Sequence, residues 1–458
     1  MSTGRELSAV SYDSQRIPGF GGVVLTPSVD GYETARQIFN ERLVGRPALI
    51  AQCTGAADVQ AALRYAQAEN LAVSVRSGGH GLAGWASNDD GLVVDLTRLR
   101  WVRVDPDARS AWVGGGVRAL DVVTKTLAHG LAPVTGVSPL IGLAGLATGA
   151  GEGFLTPQHG YASDNVRAFE LVTANGSLLR VSATEHADLF WAMRGAGPNF
   201  GVVTAMQVDL HPVPPVVVGG WLTFDGVDAL RVTECVWDLL ERGSPRFFPQ
   251  ITYGVDPGGA MHVRVMPGFL GPEESAIDEI TQLRQCAPPL DDDVSAMSYL
   301  ELLHQIPGEF GRRHSWDIYH LPFDVDRTAQ IEMVLAQATR LRPMGGFFDL
   351  WRTMPGSVSA PASALPRRPG VSLVAASIWE NASDDDLEIA RISEIATAFR
   401  DSGLVGESPS ASNHVSSHEP PRVIAKYGAD GYARLQRLKA VYDPHNVFRR
   451  NYNVPPAP

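Results

Sequence analysis

The sequence predicts an α+β fold of two units, and three observations carry that prediction. Through residue 212 the chain alternates short β-branched runs with amphipathic helical stretches and is broken by three glycine-rich loops. From Val216 to about Leu404 it reads as longer strands alternating with helices, the pattern of an antiparallel sheet flanked by helices. Between them the prolines of HPVPPV, 211–216, mark a boundary, and the tail from Ile424 returns to the dense style of the first unit.

Taken in order, Gly31 to Arg42 spaces Ala35, Ile38 and Phe39 as a helix does, and RPALIAQC, 46–53, reads as a buried strand. Thr54 to Asn70 is a helix with Thr54 as its cap and Val59, Ala62, Leu63 and Ala66 inward. The next strand, LAVSVR at 71–76, runs into Ser77-Gly78-Gly79-His80-Gly81. Strands follow at 91–95 and 111–116, and a helix from Leu120 stops at Gly130. A strand-helix-strand opening that feeds a glycine loop is the arrangement of a nucleotide-binding domain. Glycines let such a loop turn its N–H groups toward an anion, Arg76 would add a fixed positive charge, and His80 could reach whatever the loop holds. A tight surface turn with an incidental histidine accounts for the same residues.

The second glycine segment is GVSPLIGLAGLATGAGEG, 136–153. Glycines at 142, 145, 149, 151 and 153 in an apolar stretch imply backbone packed tightly against a flat partner, since a flexible linker would be polar. GAGEG with Glu170 mimics a dinucleotide fingerprint, but it lacks the third glycine and a clean preceding strand. Asn175-Gly176 between two apolar runs signals a hairpin. A short helix, a third glycine loop and an alternating strand complete the first unit. In the second, strands are expected in 216–224, 250–255, 261–269 and 371–379, and helices at 228–241, 273–285, 327–340 and 385–400. The Pro-, Ser- and Ala-rich span 353–370 reads as a surface loop.

The net charge of -12 over 458 residues and the absence of a basic run argue against nucleic acid as a partner. No apolar run reaches the ~18 residues of a membrane span, and MSTGRELSAV lacks a signal-peptide pattern, so a cytoplasmic location is expected. Cys53, Cys235 and Cys286 lie far apart without metal-ligand spacing and read as core thiols, with neither disulfide nor metal site expected.

Together VRSGGH, VVDL, GVSPLIGLAGLATGAGEG with DNV, DLFWAMRGAGPNFGVVT and RLQRLKAVYDPHNVFRRNYNVPP resemble, in this order, the berberine-bridge-enzyme-like branch of the vanillyl-alcohol-oxidase flavoproteins. The resemblance is dense over 46–210 and 427–456. It implies a PCMH-type FAD-binding domain split between 1–212 and a returning tail, 413–458, around a substrate domain, 213–412. It further implies that Arg76, Ser77, Gly78, Gly79, His80 and Gly81 hold the pyrophosphate, and that the His80 ring bonds covalently to the flavin 8α carbon. Ser138, Ile141, Gly142, Gly145, Gly149, Gly153, Val203, Asn451 and Asn453 would line the cofactor. Many relatives carry a cysteine tether where Ser138 stands, so a single link through His80 and a more open pocket are expected. Bulky Ile141 puts oxygen as sole electron acceptor in doubt.

Glu152 stands where relatives place an apolar side chain. An unpaired carboxylate there would have a raised pKa suited to a general base, whereas an Arg partner would make it structural. His414 reads as an acid or base or as a solvated loop histidine, and Tyr452 as a substrate-orienting residue or a packed tail tyrosine. His159 receives no role. Trp351 and Trp379 could line an aromatic substrate pocket. The resemblance thus implies an FAD-dependent oxidoreductase that oxidises an alcohol, amine or activated C–H of a small secondary-metabolite-type substrate by hydride transfer, with oxygen or another acceptor completing the cycle. Its oligomeric state is not legible. A flavin-dependent cyclase without net oxidation, or a flavin-binding protein without turnover, would share the fold.

Overall fold

The computed structural model describes residues 17–242, 244–306, 308, 310–353, 362–415 and 420–458. The first unit holds two sheets. Leu49–Gln52, Leu92–Asp95 and Val73–Arg76 are parallel neighbours, with Val23–Leu25 antiparallel at one edge. These strands are covered on one side by the helix Ala56–Ala68, whose Val59, Ala62, Leu63 and Ala66 are all buried, as their spacing predicts. The second sheet is wholly antiparallel, in the order Val102–Asp105, Ser110–Gly114, Val202–Asp209, Val166–Val172, Leu178–Ser182. Its outer hairpin turns at Asn175-Gly176, where Gly176 takes φ 81°.

The inserted unit is built on an eight-stranded sheet that includes Leu222–Asp225, Met261–Met266, Gln250–Val255, Gly346–Arg352, Gly370–Trp379 and Arg313–Pro322 in that spatial order. One face is sealed by helices Ala229–Arg242, Ile277–Cys286, Arg327–Ala338 and Asp385–Asp401 around Trp237, Leu373 and Phe399. The other face looks toward the first unit. Period-two alternation therefore divides the strands: Ile378 faces the first unit while Trp379, fully buried with Nε1 donating to Asp385, belongs to the helical side. This corrects the expectation that Trp379 lines the pocket.

The tail is locked by one buried ion pair. In the helix Ala429–Tyr442, Lys439 Nζ donates to Asp443 Oδ2 at 2.7 Å, to Asn199 O at 2.7 Å and to Phe448 O at 2.9 Å. Asp443 in turn accepts the N–H groups of Val447 and Phe448. Every donor of a desolvated ammonium is thus engaged, the condition under which a buried pair is tolerated. The turn that it fixes presents Asn451 and Tyr452 to the third glycine loop.

Several expectations change. The stretch 31–42 folds only as Tyr32–Ala35 and a 3-10 turn Glu41–Leu43, because Phe39 and Asn40 are pulled out to meet the glycine loop: Phe39 N–H donates to Gly79 O at 2.8 Å. Thr54 is not the helix cap; its N–H and hydroxyl both donate to Asp58 Oδ2. The described part of 353–370 is no surface loop, since Ala364 and Leu365 are buried and Arg367 pairs with Asp164 of the first unit; positions 354–361 lie outside the described residues. Cys235 and Cys286 are joined in a disulfide between two packed helices, their Cα atoms 5.8 Å apart, and only Cys53 remains a buried thiol. A contact between residues 51 apart in the chain comes from helix packing, which spacing does not encode. Among the described residues no helix is long and apolar enough to cross a membrane.

Candidate active site

The two glycine loops meet backbone to backbone. A Cβ built on Gly78 would stand 2.5 Å from Gly142 N, and one on Gly142 would stand 2.3 Å from Gly78 N, so neither position accepts a side chain. Gly142 precedes the buried helix Leu143–Gly149. Around this junction opens a cavity of about 840 Å³ reaching from the first unit to the free face of the eight-stranded sheet.

Ser77, Gly78, Gly79, His80, Gly81, Ser138, Ile141, Gly142, Gly145, Val203, Asn451 and Tyr452 all line it, as do Glu152 and His414. Four expected residues do not. Arg76 is a register partner of Asp95 on the adjacent parallel strand, and its Nη2 donates to Asp95 Oδ2 at 2.7 Å with both side chains buried. Its charge is therefore already matched, which corrects the expectation of a free cation beside the anion site. Gly149 turns its carbonyl to Lys426 Nζ, Gly153 packs against Thr135 O, and Asn453 lies outside the cavity wall.

His80 Nε2 is buried without a hydrogen-bond partner, and burial pushes the imidazole pKa down to about 3, so the ring is neutral. Ser138 Oγ and His80 Nε2 flank one point: a Cβ on Gly308 would be 3.2 Å from the first and 3.3 Å from the second. Asn451 Nδ2 donates to Pro198 O and Phe448 O, while Oδ1 is left without a partner. Backbone amides at glycines, an orphaned buried imidazole nitrogen and an apolar slot between peptide planes are the donor set that a dinucleotide with a flat ring requires. FAD fits these residues.

On the substrate side, Glu152 Oε2 accepts from Ser410 Oγ at 2.7 Å and from Trp351 Nε1 at 3.2 Å, and Oε1 is buried without a partner. Burial raises its pKa to about 7, against the partial relief those two donors give. No arginine pairs with it among the described residues; its partners are the two neutral donors Ser410 and Trp351. His414 is half-buried at the cavity wall; Nδ1 lies 3.2 Å from Ser410 O, the ring is 5.8 Å from Trp351, and desolvation lowers its pKa to about 4. Tyr452 is fully buried with its hydroxyl donating to Glu407 Oε1 at 3.1 Å.

Register places Trp351 in the cavity as expected, together with four side chains that the sequence did not single out. Arg264, Thr252 and Asp349 are cross-strand partners in one row, and Gln250 and Trp351 in the next. All five line the cavity. Thr252 Oγ1 donates to Asp349 Oδ1 at 2.6 Å, and burial raises the Asp349 pKa to about 6. The alternation Phe347, Asp349, Trp351 was the available signal. Lys426 also escaped notice: fully buried, with Nζ 2.7 Å from Ser412 Oγ and its pKa lowered to about 7 by burial, it pins the segment carrying Ser410 and His414.

A glycine-walled slot closed by an inserted antiparallel sheet, with a buried acid at their junction, defines a flavin-dependent oxidoreductase. Residues 47–182 match the FAD binding domain family and residues 412–455 the berberine and berberine like family. The chain is 35% identical to (R)-6-hydroxynicotine oxidase of Paenarthrobacter nicotinovorans, across 95% of this chain and 97% of that one. It superposes on the crystal structure of 6-hydroxy-D-nicotine oxidase from Arthrobacter nicotinovorans with a TM-score of 0.89 at 32% identity, covering 99% and 100% of the two chains. Physcomitrella patens BBE-like 1 shares the fold, with a TM-score of 0.85 at 21% identity over 96% and 98%. The chain belongs to the berberine-bridge-enzyme-like FAD-linked oxidoreductases.

Proposed function

We propose that this enzyme is an oxidase that holds FAD through one covalent bond to His80 and oxidises a carbon bearing an amine, with Glu152 as the base. The observation that carries the reading is the Glu152 carboxyl, poised to exchange a proton near neutrality at the wall of a mainly apolar cavity. Among alcohol, amine and activated C–H, the amine is favoured because the full-length relative is named for 6-hydroxynicotine, a hydroxypyridine bearing a cyclic amine.

The chemistry FAD supplies when bound is acceptance of a hydride at N5 and return of the electrons to oxygen or another acceptor. The protein's part is proton handling and orientation. Ionised Glu152 takes the substrate's N–H or O–H proton at Oε1 while Trp351 and Ser410 hold Oε2 in place. His414, neutral and donating through Nδ1 to Ser410 O, leaves Nε2 as an acceptor facing the same space. Tyr452 orients substrate from the tail, and the aromatic wall of Trp316, Phe347 and Trp351 excludes water. Residues 1–212 with 413–458 serve the cofactor and 213–412 the substrate. The site of action is taken to be the cytoplasm.

Three measurements test this. A denaturing gel under ultraviolet light should show flavin fluorescence in the protein band that His80→Ala abolishes. Anaerobic addition of (R)-6-hydroxynicotine or a related aromatic amine should bleach the yellow colour. Product lighter than substrate by two hydrogens excludes a cyclase without net oxidation, and absence of bleaching by every amine and alcohol offered would leave a binding protein.

A further inference from the structure

His80 stands at one end of a column of three flat rings. The Phe39 ring stacks on it with centroids 3.8 Å apart and planes 20° from parallel, and the His314 ring stacks with Phe39 at 4.6 Å and 18°. Phe310 meets both Phe39 and His80 edge-on. Apart from a hydrogen bond to its own main chain, His80 is oriented among the described residues by these contacts, since Nε2 has no partner.

His314 is buried at 1% exposure with both ring nitrogens unpartnered. Both nitrogens lie at the cavity wall with no protein partner among the described residues, so the contact the protein itself gives this ring is the stack on Phe39. What it offers is a flat plate, kept uncharged by burial. The plate is held hard. Asn40, itself fully buried, accepts His314 N–H at 3.0 Å and donates to His314 O at 3.1 Å and Leu82 O at 2.8 Å, while Phe39 N–H donates to Gly79 O. Two consecutive residues, Phe39 and Asn40, thus tie a strand of the inserted unit to both sides of His80.

We propose that Phe39, backed by His314, is the positioning clamp that sets the plane of the His80 imidazole for bonding to the flavin, so that docking of the inserted unit is a condition of cofactor attachment. The proposal rests on the reading of His80 as the tether. In the attachment, one C–H bond of the flavin 8-methyl group and the imidazole N–H bond break and a C–N bond forms. The two electrons and two protons released reduce dioxygen to hydrogen peroxide.

The test is the share of FAD that stays with acid-precipitated protein, compared with total FAD in the native holoenzyme, followed during aerobic incubation with added FAD. Phe39→Leu and His314→Ala should keep total FAD near the wild-type level but shift part of it to the acid supernatant, with covalent incorporation about two- to tenfold slower, the range expected from losing one ring stack. His314→Phe, which restores the plate without the nitrogens, should regain the wild-type share. Full covalent FAD at the wild-type rate in both Phe39→Leu and His314→Ala overturns the clamp while leaving the tether. Covalent FAD persisting in His80→Ala overturns the tether and the clamp with it. Should Phe39→Leu fail to fold, the His314→Ala and His314→Phe pair decides the matter, and equal shares in those two refute the plate.

Discussion

Replacing Glu152 by glutamine separates proton transfer from every other contribution of that side chain. The amide keeps the shape, and its oxygen still accepts from Ser410 and Trp351, but nothing at position 152 ionises. Loss of a positioned general base slows the chemical step by roughly 10²–10⁴-fold, so flavin bleaching in anaerobic stopped-flow should fall by that factor. The pH profile gives a second reading. With a pKa of about 7 the wild-type rate should decline toward acid, about tenfold per pH step below that value, whereas the variant should be flat there. Stability supplies a third. The folded pKa lies above that of the unfolded chain, so the wild-type contribution is intact below about 4.5 and is lost as pH rises through about 7. That loss amounts to about 3 kcal/mol, and the glutamine variant should escape it, melting higher than wild type at pH 8 relative to pH 5. Unchanged bleaching with an unchanged acid limb would remove Glu152 from the mechanism.

Ser138→Cys should place a thiol close to His80 and yield protein whose FAD remains covalently attached even in the His80→Ala background, read by intact-mass spectrometry. Ile141→Ala should speed reoxidation of the reduced enzyme by oxygen, read by the return of flavin absorbance after mixing; an unaltered rate would clear Ile141 as a barrier. Opening the Cys235–Cys286 bridge by Cys235→Ser should cost about 4 kcal/mol, the chain-entropy value for a 51-residue loop, seen as a lower melting temperature. Thiol labelling of enzyme taken directly from its cells decides the compartment: two reactive thiols accord with the cytoplasm, and a protected pair with an oxidising one.

How far the residues announced the site depends on whether the signal was local. The glycine loops were readable because a close backbone approach demands glycine at particular positions, and Gly78 and Gly142 meet that demand against each other. The place of Glu152 at the cavity wall was readable because a carboxylate stands out in an apolar, glycine-rich run. Arg76 misled, since its partner Asp95 lies on a neighbouring strand and only register shows the match. The disulfide, the Asp349 row and the ring column failed for the same reason: each joins segments distant in the chain, such as residues 39, 80 and 314. Trp379 failed by one step of strand parity. The strand Arg313–Pro322, which mixes charged and aromatic residues, carried no clear period at all.

The contact between Gly78 and Gly142 divides the labour of this enzyme in a way that bears on its redesign. The seat of the cofactor is gauged by peptide groups, whose spacing no rotamer adjusts, whereas the opposing wall is made of exchangeable residues such as Phe347 and Asp349 on a separate sheet. Diversifying that wall should therefore alter what is oxidised without loosening what does the oxidising, and libraries confined to it should retain their yellow colour.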